Sequence, residues 1–191
     1  MLQRDVRGLF KRNNALLNGH FKLSSGLHSD TYFQSALILQ YPKEAERLGK
    51  ELAKKIKENN IKPDTVISPA IGGIIIGQEM GRALSIRVIF TERVDGKVLL
   101  RRGFSVSTNE KVLVVEDVIT TGLSIREVLG MLKANEAQVV AVASLVDRSA
   151  GKVDFSVPRF SLLSLEVKIY KEKDCPMCKE GSIAVKPGSR R

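Results

Sequence analysis

The stretch Lys111-Val-Leu-Val-Val-Glu-Asp-Val-Ile-Thr-Thr-Gly-Leu-Ser124 constrains this chain more than any other. Val112 to Val115 is an unbroken apolar, mostly β-branched run, as expected of a parallel strand buried on both faces. It ends in two adjacent acids, Glu116 and Asp117. Val118 and Ile119 follow, then a small hydroxyl-rich turn, Thr120-Thr121-Gly122-Leu123-Ser124, after which the apolar spacing becomes helical. The expected local structure is a strand, a phosphate-sized loop and a helix N-terminus. Acids at the carboxyl end of such a strand lie where open α/β sheets bind ligands. The loop offers backbone N–H groups, three hydroxyls and the positive end of a helix dipole, a combination suited to a phosphate. Carboxylates beside it can grip vicinal hydroxyls, so a ribose 5-phosphate fits the pattern.

Other phosphate-binding devices are excluded. The chain has no Gly-x-x-x-x-Gly-Lys-Ser/Thr and no Gly-x-Gly-x-x-Gly, and Gly72-Gly73 runs into apolar residues.

The rest of the chain continues the alternation of strands and helices. Residues 4–18 have helical spacing, with Val6, Leu9, Phe10, Leu16 and Leu17 available for one face. Residues 19–34 alternate polar and apolar around a Ser-Ser-Gly break and read as a hairpin. Pro42 opens a helix with Ala45, Leu48, Leu52 and Ile56 on one side. Strands are expected at Thr65 to Ala70, Ile86 to Phe90, Val112 to Val115, Val139 to Val146 and Phe160 to Leu165. Helices are expected from Gly72-Gly73 to about Leu84 and over 122–135, and residues 92–110 read as a loop or a polar hairpin. This order implies an α/β fold, a doubly wound parallel sheet with a small N-terminal cap or hood. The 191 residues suffice for one domain. Within it, about 1–40 form the cap, about 41–170 the α/β core and about 171–191 a basic tail.

The chain carries a net charge of +10. Nucleic acid is one partner that such a charge attracts, and a small polyanionic substrate is the other. Tryptophan is absent and aromatics are only 5%, which gives little material for stacking on bases. No signal-peptide pattern opens the sequence and no apolar run spans about 18 residues, so a cytoplasmic location without membrane association is expected.

The strand–loop–helix stretch resembles the phosphoribosyl-pyrophosphate (PRPP) motif of type I phosphoribosyltransferases. Three further stretches narrow the resemblance: Gly26-Leu-His-Ser-Asp-Thr-Tyr-Phe-Gln34, Ser68-Pro-Ala-Ile-Gly-Gly-Ile74 and Val146-Asp-Arg148. In order and spacing they are similar to those of the orotate phosphoribosyltransferases. The resemblance implies Mg²⁺-dependent transfer of ribose 5-phosphate from PRPP to orotate. It implies PRPP contacts from Glu116, Asp117, Val118, Ile119, Thr120, Thr121, Gly122, Leu123 and Ser124. Ile71, Gly72 and Gly73 would hold pyrophosphate through the backbone. Mg²⁺ would be held mainly by PRPP, with Glu116 and Asp117 nearby and no full protein cage. Arg148, Thr120, Lys22, Ser24 and Phe33 are the positions expected at the orotate. An ordinary strand-end salt bridge of Arg148 with Asp147 or Glu166 is the alternative for that residue.

The resemblance also implies a homodimer whose flexible loop reaches into the neighbouring subunit. Here Arg93 and Lys97 match its basic positions as catalytic cations, with Arg101 and Arg102 as further candidates. A solvated hairpin is the other reading of that segment. The chain departs from the pattern in two places. Some relatives carry lysine where Gly72 stands, so another cation must face the pyrophosphate. Many have lysine where Ser24 stands, and Lys22, two residues away, could substitute from a shifted position. Cys175-Pro-Met-Cys178 is read as two inert thiols. A redox pair is one alternative. Zinc is the other: only His20 and His28 could add ligands from within the chain, and a second subunit could complete the site. A purine-base transferase and a PRPP-sensing nucleic-acid-binding regulator are the rival functions. About 20 residues before the first substrate motif are too few for a helix-turn-helix domain.

Overall fold

The computed structural model describes residues 1–23 and 25–187. Six strands form one sheet: β3 (Thr65–Pro69), β4 (Arg87–Val94), β5 (Lys97–Leu100), β6 (Lys111–Ile119), β7 (Gln138–Asp147) and β8 (Arg159–Ser164). They lie in the order β5-β4-β3-β6-β7-β8, parallel throughout except for the β4–β5 hairpin. Two further strands, β1 (Leu16–Lys22) and β2 (His28–Phe33), form a separate antiparallel hairpin.

Successive side chains of a strand point to opposite faces, and the central strands are apolar on both. Val66, Leu113 and Val115 therefore join one core, beneath α3 (Pro42–Glu58) and α4 (Gly73–Leu84). Ile67, Val112 and Val114 join the other, beneath α5 (Leu123–Ala134). This is the expected double winding. The chain moves outward in one direction from β3 to β4 and in the other from β6 to β7. The crevice between β3 and β6 is thus the topological switch point, where such sheets bind ligands.

The N-terminal elements form the hood. The helix α1 (Gln3–Arg12) packs Val6, Leu9 and Phe10 into the first core, beside β8. It is shorter than the sequence spacing suggests. Asn13 caps it and Asn14 takes a left-handed conformation (φ 51°), so Leu16 and Leu17 belong to β1 instead. A short helix, α2 (Ala36–Leu39), which apolar spacing over four residues does not reveal, leads from the hairpin into α3. The final short helix is α6 (Pro176–Lys179). No helix among the described residues is long and apolar enough to cross a membrane.

Candidate active site

The motif strand runs further than its apolar run suggests. β6 is paired with β3 only from Val112 to Val114 but with β7 as far as Ile119. The two acids therefore sit inside a strand that has lost one neighbour. That one-sided splay opens a cavity of about 590 Å³ at the switch point, a size usual for small-molecule sites. Glu116 through Ser124 all line it. Gly122 turns the chain into α5 with φ 76°, a region that favours glycine. A Cβ there would also come within 2.6 Å of Val153 and 2.8 Å of Phe155. The loop is thus pressed against side chains that admit no substituent. Its amides open the N-terminus of α5.

The acids differ in setting. Glu116 is 8% exposed, and burial, reinforced by the adjacent Asp117 charge, pushes its carboxyl well above the usual range. Asp117 is more open, and its carboxylate accepts the N–H of Val118 at 2.9 Å. Across the crevice, a Cβ on Gly72 would approach Asp117 Oδ1 to 2.7 Å, and one on Gly73 would meet the Val115 carbonyl at 2.9 Å. Both glycines are therefore needed for the β3–α4 turn to lie against the acidic strand. Gly72 lines the cavity together with Pro69 and Ala70. Ile71 is 84% exposed and is not among the lining residues.

The opposite wall comes from the hood and from β7. Arg148, 4% exposed, donates from Nη2 to Ser29 Oγ at 2.9 Å and to the Thr31 carbonyl at 2.8 Å. The alternative salt bridges, with Asp147 or Glu166, do not form. Asp147 binds Ser149 and Arg159, and Glu166 pairs with Lys152. Arg148 also lines the cavity, and its buried Nε has no partner among the described residues. Desolvation lowers its pKa to about 10, partly opposed by Tyr32 and Asp30. Tyr32 stands beside it in the wall, its phenol pushed up by burial and by Asp117.

The remaining candidates divide. Phe33 reaches the wall, although its ring packs edge-on against Phe10 in the core, centroids 5.4 Å apart. Lys22 does not line the cavity; its ammonium lies 3.8 Å from Glu172 of the tail. β1 ends at Lys22, so the two-residue alternation of a strand does not carry past it and cannot place Lys22 by its spacing from Ser24. Ser24 itself lies outside the described residues.

Arg93 lines the cavity, bound to Glu127 and donating to the Gly96 carbonyl at 2.8 Å. Arg101 and Arg102 turn to Glu92. Lys97 starts β5 in register with Val94, does not line the cavity and has no acidic partner among the described residues. The segment expected as a loop or polar hairpin is a hairpin over its first half. Tyr32, Gln34 and Glu127 are lining residues that sequence spacing did not single out. For Tyr32 a signal existed: in an alternating strand, its neighbour Phe33 takes the core side.

A family model of the phosphoribosyl transferase domain matches residues 38–176, from within α2 to the start of α6. The chain is 54% identical over 187 residues to an orotate phosphoribosyltransferase from Carboxydothermus hydrogenoformans, covering 98% of each. This chain belongs to the orotate phosphoribosyltransferase family. A second family member, from Heliobacterium modesticaldum, is 52% identical over 190 residues and aligned over the whole of both chains. The crystal structure of orotate phosphoribosyltransferase from Aeropyrum pernix superposes with a TM-score of 0.68 at 26% identity, over 83% of this chain and 93% of that one. The structure of Leishmania donovani UMP synthase shares the fold, with a TM-score of 0.72 at 19% identity over 84% of this chain and 36% of that one. The family's phosphoribosyl transferase fold thus supplies the crevice in which the motif residues meet.

Proposed function

We propose that the protein transfers ribose 5-phosphate from PRPP to orotate, releasing pyrophosphate and forming orotidine 5'-monophosphate, a step of pyrimidine biosynthesis. The observation that carries this is the pairing of two unlike walls on one cavity: the Glu116–Ser124 strand and loop on one side, Arg148 on the other.

In this reading Thr120 to Ser124 hold the 5-phosphate through amides, hydroxyls and the α5 dipole. Glu116 and Asp117 hold the ribose hydroxyls. Ala70 and Gly72 lie where pyrophosphate leaves, with Ile71 and Gly73 shaping the turn. The donors near the ribose are carboxylate and hydroxyl oxygens, which fit Mg²⁺, a hard cation that retains waters. When bound near Glu116 and Asp117, Mg²⁺ would neutralise charge on the departing pyrophosphate.

The C1–oxygen bond to pyrophosphate breaks as a bond from an orotate nitrogen to C1 forms, and the proton of that nitrogen leaves to the released pyrophosphate or solvent. Positive charge develops on the ribose, as in other glycosyl transfers. The chain contributes alignment and fixed charge rather than a covalent nucleophile. Arg148 offers its guanidinium to the orotate carboxylate, with Tyr32 and Phe33 forming the wall beside it. Thr120 borders both substrates.

Arg93 is already neutralised by Glu127, so a further cation is needed opposite the leaving group. We assign that role to Lys97, acting from the second subunit of a homodimer with shared sites. The protein works as a single domain in the cytoplasm, with the net charge steering polyanionic substrates. The test is a panel of orotate, uracil, adenine and xanthine with PRPP and Mg²⁺, following nucleotide formation. Orotate alone should react. Turnover of a purine base in its place would make the protein a purine transferase. Salt-dependent binding of DNA or RNA without turnover of any base would indicate a regulator.

A further inference from the structure

The two cysteines of Cys175-Pro-Met-Cys178 and both histidines of the chain converge at one point, away from the cavity. Their ligand atoms all lie within 4.8 Å of one another. His20 Nε2 is 3.5 Å from Cys175 Sγ, 3.6 Å from Cys178 Sγ and 2.9 Å from His28 Nδ1. Cys178 Sγ is 3.3 Å from His28 Nδ1. Tetrahedral zinc with ordinary bond lengths gives ligand–ligand edges of about 3.3 Å for two nitrogens and about 3.6 Å for nitrogen and sulfur. Three of the four measured edges fall within about 0.3 Å of these values, and the nitrogen–nitrogen edge is shorter by about 0.4 Å.

Hydrogen bonding fixes one ring for this role. His20 Nδ1 lies 3.1 Å from the Ser182 carbonyl, which can only accept, and 3.2 Å from the Ser182 hydroxyl, which can accept as well as donate. The proton is therefore on Nδ1, and the Nε2 lone pair points at the thiols, the usual orientation of a metal-bound histidine. His28 has no such outer partner: its Nε2 is buried without a hydrogen bond among the described residues, and Nδ1 faces only the cluster. His20, His28 and Cys175 are buried, and Cys178 is partly exposed.

We propose that His20, His28, Cys175 and Cys178 form a closed, structural Cys₂His₂ zinc site within one chain. Four protein ligands fill a tetrahedron and leave no position for substrate, which is the signature of a structural site. Two nitrogens and two sulfurs in that geometry select zinc over harder cations. The readings of two inert thiols and of a site completed by a second subunit give way to four ligands from one chain, two from the hood and two from the tail.

The site has a mechanical consequence. His20 is on β1 and His28 on β2, while the cysteines flank the start of α6. The tail also extends the hairpin at both edges, through Lys22–Val185 and His28–Tyr170 backbone bonds of 2.8 Å. A metal clip closing a separation of 155 residues removes far more chain freedom than a local turn. It would hold β2, and with it the Ser29 and Thr31 groups that grip Arg148. The link to base binding rests on the proposed function, whereas the metal content does not.

The test uses the full chain, untagged and purified with reductant. Elemental analysis should find one zinc per chain. Co²⁺ exchanged into it should show visible d–d bands of a tetrahedral site with thiolate-to-cobalt charge transfer. Cys178→Ser should lose both metal and charge-transfer band and melt at a lower temperature. Cys178→His, which restores a fourth ligand, should recover the metal. Wild-type protein that carries no zinc and gives no thiolate band with Co²⁺ would overturn the proposal, whether or not the variants fold. So would an intact mass showing a Cys175–Cys178 disulfide in the metal-free reduced preparation.

Discussion

The two walls of the cavity are built in opposite ways. The β6–α5 wall is nine consecutive residues, Glu116 to Ser124, each placed by its immediate neighbours. The facing wall joins Leu23, Tyr32 and Phe33 of the hood to Arg148 at the end of β7, more than 110 residues away. The first is set by backbone geometry: a splayed strand, a glycine at φ 76° and a helix N-terminus. The second is set by tertiary contact, and its one charge is held by hydrogen bonds to a hairpin that is not part of the main sheet. A contiguous wall suits the part common to every transfer, the ribose phosphate. An assembled wall can be rebuilt for another base without disturbing the first.

If that division is real, the largest effect should come from the contiguous wall. Asp117→Asn should lower turnover by roughly a hundredfold or more, the scale of removing one electrostatic contact to a transition state. Its melting should change little, because the residue is neither fully buried nor in a salt bridge among the described residues. Steady-state kinetics beside circular dichroism would decide. A folded variant with normal turnover would remove the acid pair from the mechanism.

Arg148→Ala should act on the other wall alone. The Michaelis constant for orotate should rise about tenfold to a hundredfold, the worth of a charge-assisted hydrogen bond, while that for PRPP stays within about twofold. Arg148→Lys should recover little, since the ammonium lacks the planar fork that spans Ser29, Thr31 and a ligand. Equal losses toward both substrates would mean that Arg148 serves mainly to hold the hairpin in place.

How much of each wall could be read in the sequence follows the same line. The phosphate loop was legible because a strand, two acids, a hydroxyl turn and a helix succeed one another without interruption. The sheet was legible because strands buried on both faces are apolar runs. Lys22 is not placed by its spacing from Ser24 because β1 ends at Lys22, and two-residue alternation holds only within a strand. Glu127 carries no local mark because its partner Arg93 lies on another element, whereas Tyr32 is marked only by the alternation that sends Phe33 to the core. The clustering of His20 and His28 with a Cys-x-x-Cys near the other end of the chain is likewise a property of the fold alone.

Lys97 offers a test of whether a third wall comes from another molecule. Pair a Lys97→Ala chain with an Asp117→Asn chain, each nearly inactive alone. With random exchange half of the dimers are mixed, and each mixed dimer has one site free of both defects. Activity should return to about a quarter of wild type. No recovery after demonstrated subunit exchange would place Lys97 in its own chain's site.

The smallest effect concerns the cost of building the contiguous wall. Glu116 is buried against Asp117, so its folded-state pKa lies well above its ordinary value of 4.5, mainly through desolvation and then through the neighbouring charge. In the window between those two values the folded chain binds more protons than the unfolded one. Stability should therefore be fully retained below about pH 4.5 and fall as pH rises through the folded pKa, at up to about 1.4 kcal/mol per pH unit. Glu116→Gln has no proton to lose there and should lack that slope. Its melting temperature relative to wild type should thus climb with pH. PRPP with Mg²⁺ should flatten the wild-type slope, because hydroxyl donors and a cation favour the carboxylate that burial disfavours. A wild-type slope no steeper than the variant's would mean that Glu116 is solvated in solution. The strained acid would then drop out of the contrast between the walls, leaving only the loop geometry.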